Sequence, residues 1–413
     1  MNEIMNMEDC GDTVAYRIGT HRTRTPEDTL ARVMPHMSAM GITRIADVTG
    51  LDTVGIPVVM VCRPNSRSVS VSQGKGYTVA AAKASGLMES VEGFHAEHMT
   101  RPIHIASLLD MQQFTQTVAP DQLPSVKGSP FHDNYPIAWV EGEDLISGQS
   151  IWLPYEMVHT NYTYPRPSGS GCFPASSNGL ASGNTTDEAT VHALCELIER
   201  DAISLWHQLG DAAVDRMSVN PDTIGSSLVI ETLDKLHSAG LTTYIWDITS
   251  DTCIPTYFSV LVNDKSHTQH IGVGSGTHLS REVALLRALH EAVQVRTTYI
   301  VGARDDIRPD EYTADGIYAK RTFFEDIARK CSFSADFAQT ADLDSSGVKR
   351  DLETLLSNLQ AVGITQVLRV DLIKPEFDIP VVRIVVPGLE APHDEEGYVP
   401  GHRALGIRQG VRQ

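Results

Sequence analysis

Three times along this chain a run of glycines and small residues leads directly into a long segment with helical periodicity, and that recurrence limits the folds open to it. In the first, Ser68-Val69-Ser70-Val71 reads as a strand, Ser72-Gln73-Gly74-Lys75-Gly76 as a glycine-rich loop, and Thr78 to His98 as an alanine-rich helix. In the second, Ser176-Ser177-Asn178-Gly179-Leu180-Ala181-Ser182-Gly183-Asn184 precedes a helix over Thr186 to Gln208. Its first turn carries Asp187 and Glu188, where the helix dipole favours acids. In the third, Gly272-Val273-Gly274-Ser275-Gly276-Thr277 precedes a helix over Ser280 to Ile300. Val283 stands where an acid would complete a capping box with Ser280, although Glu282 suits the helix start.

Strand-like runs also occur at Val58–Val61, Thr243–Trp246, Tyr257–Val262 and Val381–Val386. A further helix over Lys349 to Gln360 places Leu352, Leu355, Leu356 and Leu359 on one face, ahead of a strand over Gln366 to Ile373. Segments 119–136 and 302–317, richer in proline, glycine or charge, read as surface connections. The pattern predicts a mixed α/β (α+β) protein built as one large composite domain. Hydrophobic residues, 41% of the 413, are ample for its core.

Several function classes fall away on composition. Cys10, Cys62, Cys172, Cys195, Cys253 and Cys331 are scattered without a C-x-x-C pair, as expected of reduced thiols in a cytoplasmic protein. The acidic start from Met1 to Asp9 lacks the basic flank and apolar core of a secretory signal, and no apolar run approaches a membrane span. A formal net charge of −19 repels nucleic acid and anionic lipid. It does not oppose ATP, because Mg2+ bridges acidic side chains to phosphate oxygens.

The chemistry-bearing residues follow helical spacing. Glu89 and Glu92 are three apart on the first helix; Glu188, His192, Glu196 and Glu199 follow steps of four, four and three on the second; Arg287, Glu291 and Gln294 follow steps of four and three on the third. Acids facing one another in a desolvated site repel unless a cation lies between them, and Mg2+ fits oxygen ligands and phosphate better than zinc does. Each E-x-x-E pair alone also fits an ordinary solvated helix face. Glu89 and Glu92 lie in an otherwise small and apolar helix, however, and Arg200 directly follows Glu199, where a cation meets phosphate. Glycine-rich loops at helix starts supply amides for phosphate. None matches the P-loop or dinucleotide pattern, so the residues themselves reach a nucleotide and magnesium site and no further.

The string from Ser177 to Asn184, followed by Glu188 and by Glu196-Leu197-Ile198-Glu199-Arg200-Asp201-Ala202, resembles the central motif of the YcaO family. Gly74-Lys75-Gly76 with Ser85-x-x-x-Glu89-x-x-Glu92 is similar to that family's first motif, and Arg287-Ala288-Leu289-His290-Glu291-Ala292-Val293-Gln294 to its third. The resemblance implies a YcaO-type ATP-binding fold over residues 19–390, with 1–18 as an extension and 391–413 as a tail. It implies that Glu89, Glu92, Glu196 and Glu199 hold Mg2+ around ATP. It further implies that Ser85, Asn184, Glu188, Arg200, Arg287, Glu291 and Gln294 contact nucleotide or metal, while Arg22 and Thr29 reach the phosphates or nucleoside.

The activity so implied is ATP-dependent phosphorylation of a peptide-backbone amide oxygen, which makes that oxygen a good leaving group. A neighbouring cysteine, serine or threonine as nucleophile gives an azoline, and external sulfide gives a thioamide. The chain ends Gly406 to Gln413 without the P-x-P-x-P tail of many azoline-forming members, and resembles the TfuA-associated type. The expectation is therefore a homodimeric thioamide-forming enzyme that acts on a precursor peptide or protein with a TfuA-like partner. The alternatives are an azoline-forming cyclodehydratase and a non-catalytic ATP-binding accessory factor. His95-Ala96-Glu97-His98 is read as structural, because no P-C-x-x-C follows it; Cys195 is read as packing behind the site, and His192 is left unassigned.

Overall fold

Thr78, Thr185 and Ser280 are the N-caps of the three long helices that the sequence marks. The Thr78 hydroxyl accepts the Ala81 N–H and the Thr185 hydroxyl the Glu188 N–H, each satisfying a donor that a helix start leaves open. The structure, a computed structural model, describes residues 12–263, 270–393 and 397–410. Cys10 and the tail beyond Gly410 lie outside the described residues.

In chain order the strands are β1 (Arg44–Asp47), β2 (Val58–Cys62), β3 (Val71–Lys75), β4 (Ile103–Ala106), β5 (Ile137–Asp144), β6 (Ser150–Pro154), β7 (Leu180–Ser182), β8 (Thr242–Asp247), β9 (Thr256–Val262), β10 (Gly272–Thr277), β11 (Leu368–Asp371) and β12 (Val381–Val385). The helices are α1 (Pro26–Val33), α2 (Val79–Glu97), α3 (Leu108–Met111), α4 (Thr186–Trp206), α5 (Asp211–Arg216), α6 (Ser227–Ser238), α7 (Arg281–Val301), α8 (Ala314–Ala328), α9 (Val348–Ala361) and α10 (His402–Gly410). The strands form antiparallel sheets in the orders β1-β2-β3, β10-β9-β8 and β4-β5-β11-β12-β7, with β6 also paired to β5. No helix among the described residues is long and apolar enough to cross a membrane.

Each glycine-rich unit is a strand followed by its helix: β3–α2, β7–α4 and β10–α7. Every helix packs on its own strand and also on the strand of another unit. Helix α2 meets β7, α4 meets β10 and α7 meets β3, so the three units close a ring.

The glycines do different work from that predicted. Gly74 and Gly272, Gly274 and Gly276 lie inside strands, not in loops that present amides, and the first strand begins at Val71, where the sequence reading ends it. A Cβ on Gly74 would stand 2.0 Å from the Ala82 carbonyl oxygen, and one on Gly274 would stand 2.2 Å from that of Ala288. Glycine is needed there because strand and helix backbones touch.

The remaining elements enclose the ring. Helix α4 is buried nearly all round, between β7 and β12 on one side and α9 on another. Leu352, Leu355 and Leu359 of α9 enter that core, with Leu356 at its margin. Strand β5 escapes the sequence reading because Ile137, Ala138, Trp139 and Val140 are all buried, and alternation of buried and exposed residues starts only after them. The 302–317 connection contains a short 3-10 turn at Pro309–Tyr312 and the first residues of α8.

Candidate functional site

Counting from each N-cap, the three long helices carry their chemistry at the same places. Positions seven, eleven and fourteen are Ser85, Glu89 and Glu92 on α2, His192, Glu196 and Glu199 on α4, and Arg287, Glu291 and Gln294 on α7. Steps of four and three keep each triplet on one helix face.

The ring then ties each triplet to a strand of another unit. Glu92 accepts from the Ser182 N–H at 2.8 Å and from its hydroxyl at 2.6 Å. Glu199 accepts from the Ser275 hydroxyl at 2.8 Å and the Thr277 N–H at 3.0 Å. Lys75 Nζ lies 2.9 Å from Glu291, and the Thr298 hydroxyl of α7 donates to Gln73 Oε1 of β3. Gln294 is buried, and its backbone carbonyl accepts from that same Thr298 hydroxyl at 2.8 Å.

These carboxylates act on one another electrostatically. Burial pushes Glu92 up to about 8, with the Ser182 hydrogen bonds opposing and the charges of Glu89 and Glu196 adding to the rise. Burial also pushes Glu196 up to about 7, against the pull of Arg200 and with the push of Glu199. Burial also raises Glu89, while Arg304 and Lys75 pull it back. Only Glu291 falls below the ordinary range: burial raises it, but Lys75 and Arg200 outweigh burial.

Glu89 is nonetheless exposed and Glu92 and Glu196 are half-buried, so water still reaches these acids. Among the described residues no group of three or more His, Cys, Asp and Glu side chains forms a ready cage for a cation.

A second cluster adjoins through α4. Glu188 accepts from the Thr23 N–H at 2.8 Å, the Thr23 hydroxyl at 2.7 Å, and the Asn184 N–H and side-chain amide at 3.2 and 3.1 Å, with Arg22 Nε at 3.7 Å. The Thr29 hydroxyl donates to Asn184 Oδ1 at 3.0 Å. The segment before α1 thus reaches the same site as α4, bringing Arg22, Thr29, Asn184 and Glu188 together. Arg22, Glu188, His192, Cys195, His278 and Arg287 line one small pocket.

Ser85 is exposed on α2, and Arg200 Nη1 stands 3.8 Å from Glu199. Sequence reasoning missed Thr23, Lys75, Arg304 and Arg383. Lys75 is the middle residue of the Gly74-Lys75-Gly76 motif and was legible there. Arg383 lies on β12, donates to the Ser176 carbonyl at 2.8 Å and pulls on Glu196; nothing in its local sequence marks it.

His95 and Glu97 serve the fold. His95 Nδ1 meets the Val91 carbonyl at 2.8 Å, and Glu97 is a buried partner of Arg63 at 2.7 Å. Cys195 is buried, and burial pushes its thiol up to about 12.

Residues 73–390 match the family model described as YcaO cyclodehydratase, ATP- and Mg2+-binding. An uncharacterised protein in the tfuA 3' region of Rhizobium leguminosarum bv. trifolii is 32% identical over 408 residues, covering 94% of this chain and 93% of its own. YcaO from Methanopyrus kandleri, solved with AMPPCP and Mg2+, is similar with a TM-score of 0.74 at 22% identity, over 94% of this chain and 98% of its own. A heterocyclase in complex with substrate and cofactor has a TM-score of 0.75 at 21% identity over 93% of this chain, which spans 55% of the heterocyclase. At such identities these two likenesses are ones of fold.

Proposed function

The chain belongs to the YcaO family, described as ATP- and Mg2+-binding cyclodehydratases, and on that premise we propose that it activates a peptide-backbone amide carbonyl by phosphorylation, for thioamide formation. The observation that carries the reading is the set of acids at equivalent positions of three helices, Glu89, Glu196 and Glu291 one turn before Glu92, Glu199 and Gln294. Glu89, Glu92, Glu196 and Glu199 would hold the cations. Arg200, Arg287 and Lys75 would balance phosphate charge beside them, Asn184 and Glu188 would contact nucleotide or metal, and Arg22 and Thr29 would reach the phosphates or nucleoside. Bound ATP supplies a transferable phosphoryl group, which converts the amide oxygen into a leaving group.

The relative in a tfuA region favours sulfide as the nucleophile and a TfuA-like protein as the cytoplasmic partner that delivers it. A peptide or protein is then the substrate, modified by a homodimer of this chain.

The test combines product mass and nucleotide turnover for the protein with a cognate peptide and partner. Thioamide formation adds about sixteen daltons and azoline formation removes about eighteen, since one exchanges oxygen for sulfur and the other expels water. Glu199→Gln is expected to lower peptide-dependent ADP release about 100-fold. Undiminished release would remove the cation role, and nucleotide binding with no mass change would favour an accessory factor instead.

A further inference from the structure

His192 is the one residue of the nine repeated positions to which neither motif spacing nor family resemblance gives a role. Its equivalents on the other two helices are Ser85 and Arg287, one hydroxyl and one guanidinium, both hydrogen-bond donors. One turn further along each helix stands an acid: Glu89, Glu196 or Glu291. Each helix therefore carries a donor one turn before an acid.

The imidazole fits that position in only one protonation state. His192 Nε2 lies 3.2 Å from Arg287 Nη2. A guanidinium can only donate, so Nε2 must accept, and the ring proton is on Nδ1. Burial and the charges of Arg287, Arg22 and Lys75 hold His192 well below its ordinary range, in keeping with a neutral ring. Among the described residues, His192 Nδ1 and Arg287 Nε are both buried with no hydrogen-bond partner. Both are donors, and both belong to the pocket that Arg22 and Glu188 also line. Buried donors are rarely left unmade in native proteins, so two of them together call for an acceptor that none of the described residues supplies. Glu188 does not fill that role, being already engaged by Thr23 and Asn184.

The geometry points to His192 as a phosphate-binding residue: it holds Arg287 through Nε2 and donates its Nδ1–H to a phosphate oxygen of bound nucleotide. The inference rests on the nucleotide reading of the site and extends it to a residue that reading does not use. His192 and Arg287 then form one unit, in which removing either partner disables the other.

Direct calorimetric titration of the full chain with Mg2+ and a non-hydrolysable ATP analogue tests this without reference to peptide chemistry. His192→Leu, which can neither accept from Arg287 nor donate, is expected to weaken binding about tenfold, as is Arg287→Met. The double variant should be little weaker than the weaker single, because the two act together. His192→Gln keeps one acceptor and one donor and is expected to bind within about threefold of the wild type. Wild-type binding with undiminished affinity in His192→Leu, or additive losses in the double variant, would overturn the assignment. So would a folded His192→Gln as weak as the leucine variant; that comparison also decides if His192→Leu fails to fold, with His192→Met in its place. Failure of the wild type itself to bind nucleotide would instead sink the proposed function.

Discussion

Residue by residue, identical side chains take opposite roles according to what surrounds them. Glu97 and Glu92 lie five residues apart on α2. Glu97 meets Arg63 and Ser68; burial pushes its carboxyl up, but the hydrogen bonds from Arg63 and Ser68 outweigh burial and hold it below the ordinary range. Glu92 has neutral donors and two acidic neighbours, and is held above that range. Glu97→Gln would leave Arg63 buried without its counter-charge and is expected to cost about 3 kcal/mol in chemical denaturation, while nucleotide affinity of the folded protein is unchanged. The sign in pH follows. A depressed carboxyl stabilises fully above its unfolded value near 4.5 and loses that contribution as pH falls through the folded value. The variant should therefore differ most from wild type at neutral pH and converge with it in acid. Loss of nucleotide affinity in folded Glu97→Gln would show that the His95–His98 stretch is more than structural.

At the scale of elements, contact between strand and helix backbones sets where the site residues stand. Strand β10 lies against α7 because Gly274 has no side chain: a Cβ there would sit 2.2 Å from Ala288 O and 2.3 Å from Ala292 N. Ser275 and Thr277 on that strand hold Glu199, so a shift of β10 moves a proposed cation ligand. Gly274→Ala is expected to cost about 3 kcal/mol of stability and to weaken nucleotide binding together with Mg2+. Gly225 has open space around it, and Gly225→Ala should leave both unchanged. Equal behaviour of the two variants in thermal unfolding would mean that close approach is not what the strand glycines provide. The sequence announces these glycines clearly but not their use, because a run of small residues is the same whether it lies in a loop or under a helix.

For the whole molecule, the ring gathers acids that repel one another, so stability is linked to pH and cations. Glu92 and Glu196 are raised to about 8 and about 7. Above their unfolded value near 4.5 the unfolded chain has lost protons that the folded one keeps, so their contribution to stability falls as pH rises and levels off above about 8. A bound cation replaces those protons and reverses the loss. The rise in melting temperature on adding Mg2+ with an ATP analogue should be larger at about pH 9 than at about pH 7, and Glu92→Gln should flatten that difference. A cation effect independent of pH would place the binding elsewhere than these acids.

Sequence alone determined that three small-residue runs each lead into a long helix, the helix faces bearing Glu89, Glu92, Glu196 and Glu199, and the family, because helical period and short motifs are local properties. It also brought out Ser85, Arg287, Glu291 and Gln294 by spacing and resemblance. Tertiary structure alone decided that Arg22 and Thr29 stand beside Glu188 and Asn184, more than 150 residues away in sequence. It alone joined Glu92 to Ser182, Glu199 to Ser275 and Lys75 to Glu291, and His192 to Arg287. Such pairings depend on which unit each helix packs against, and no local pattern of residues encodes the closing of a ring.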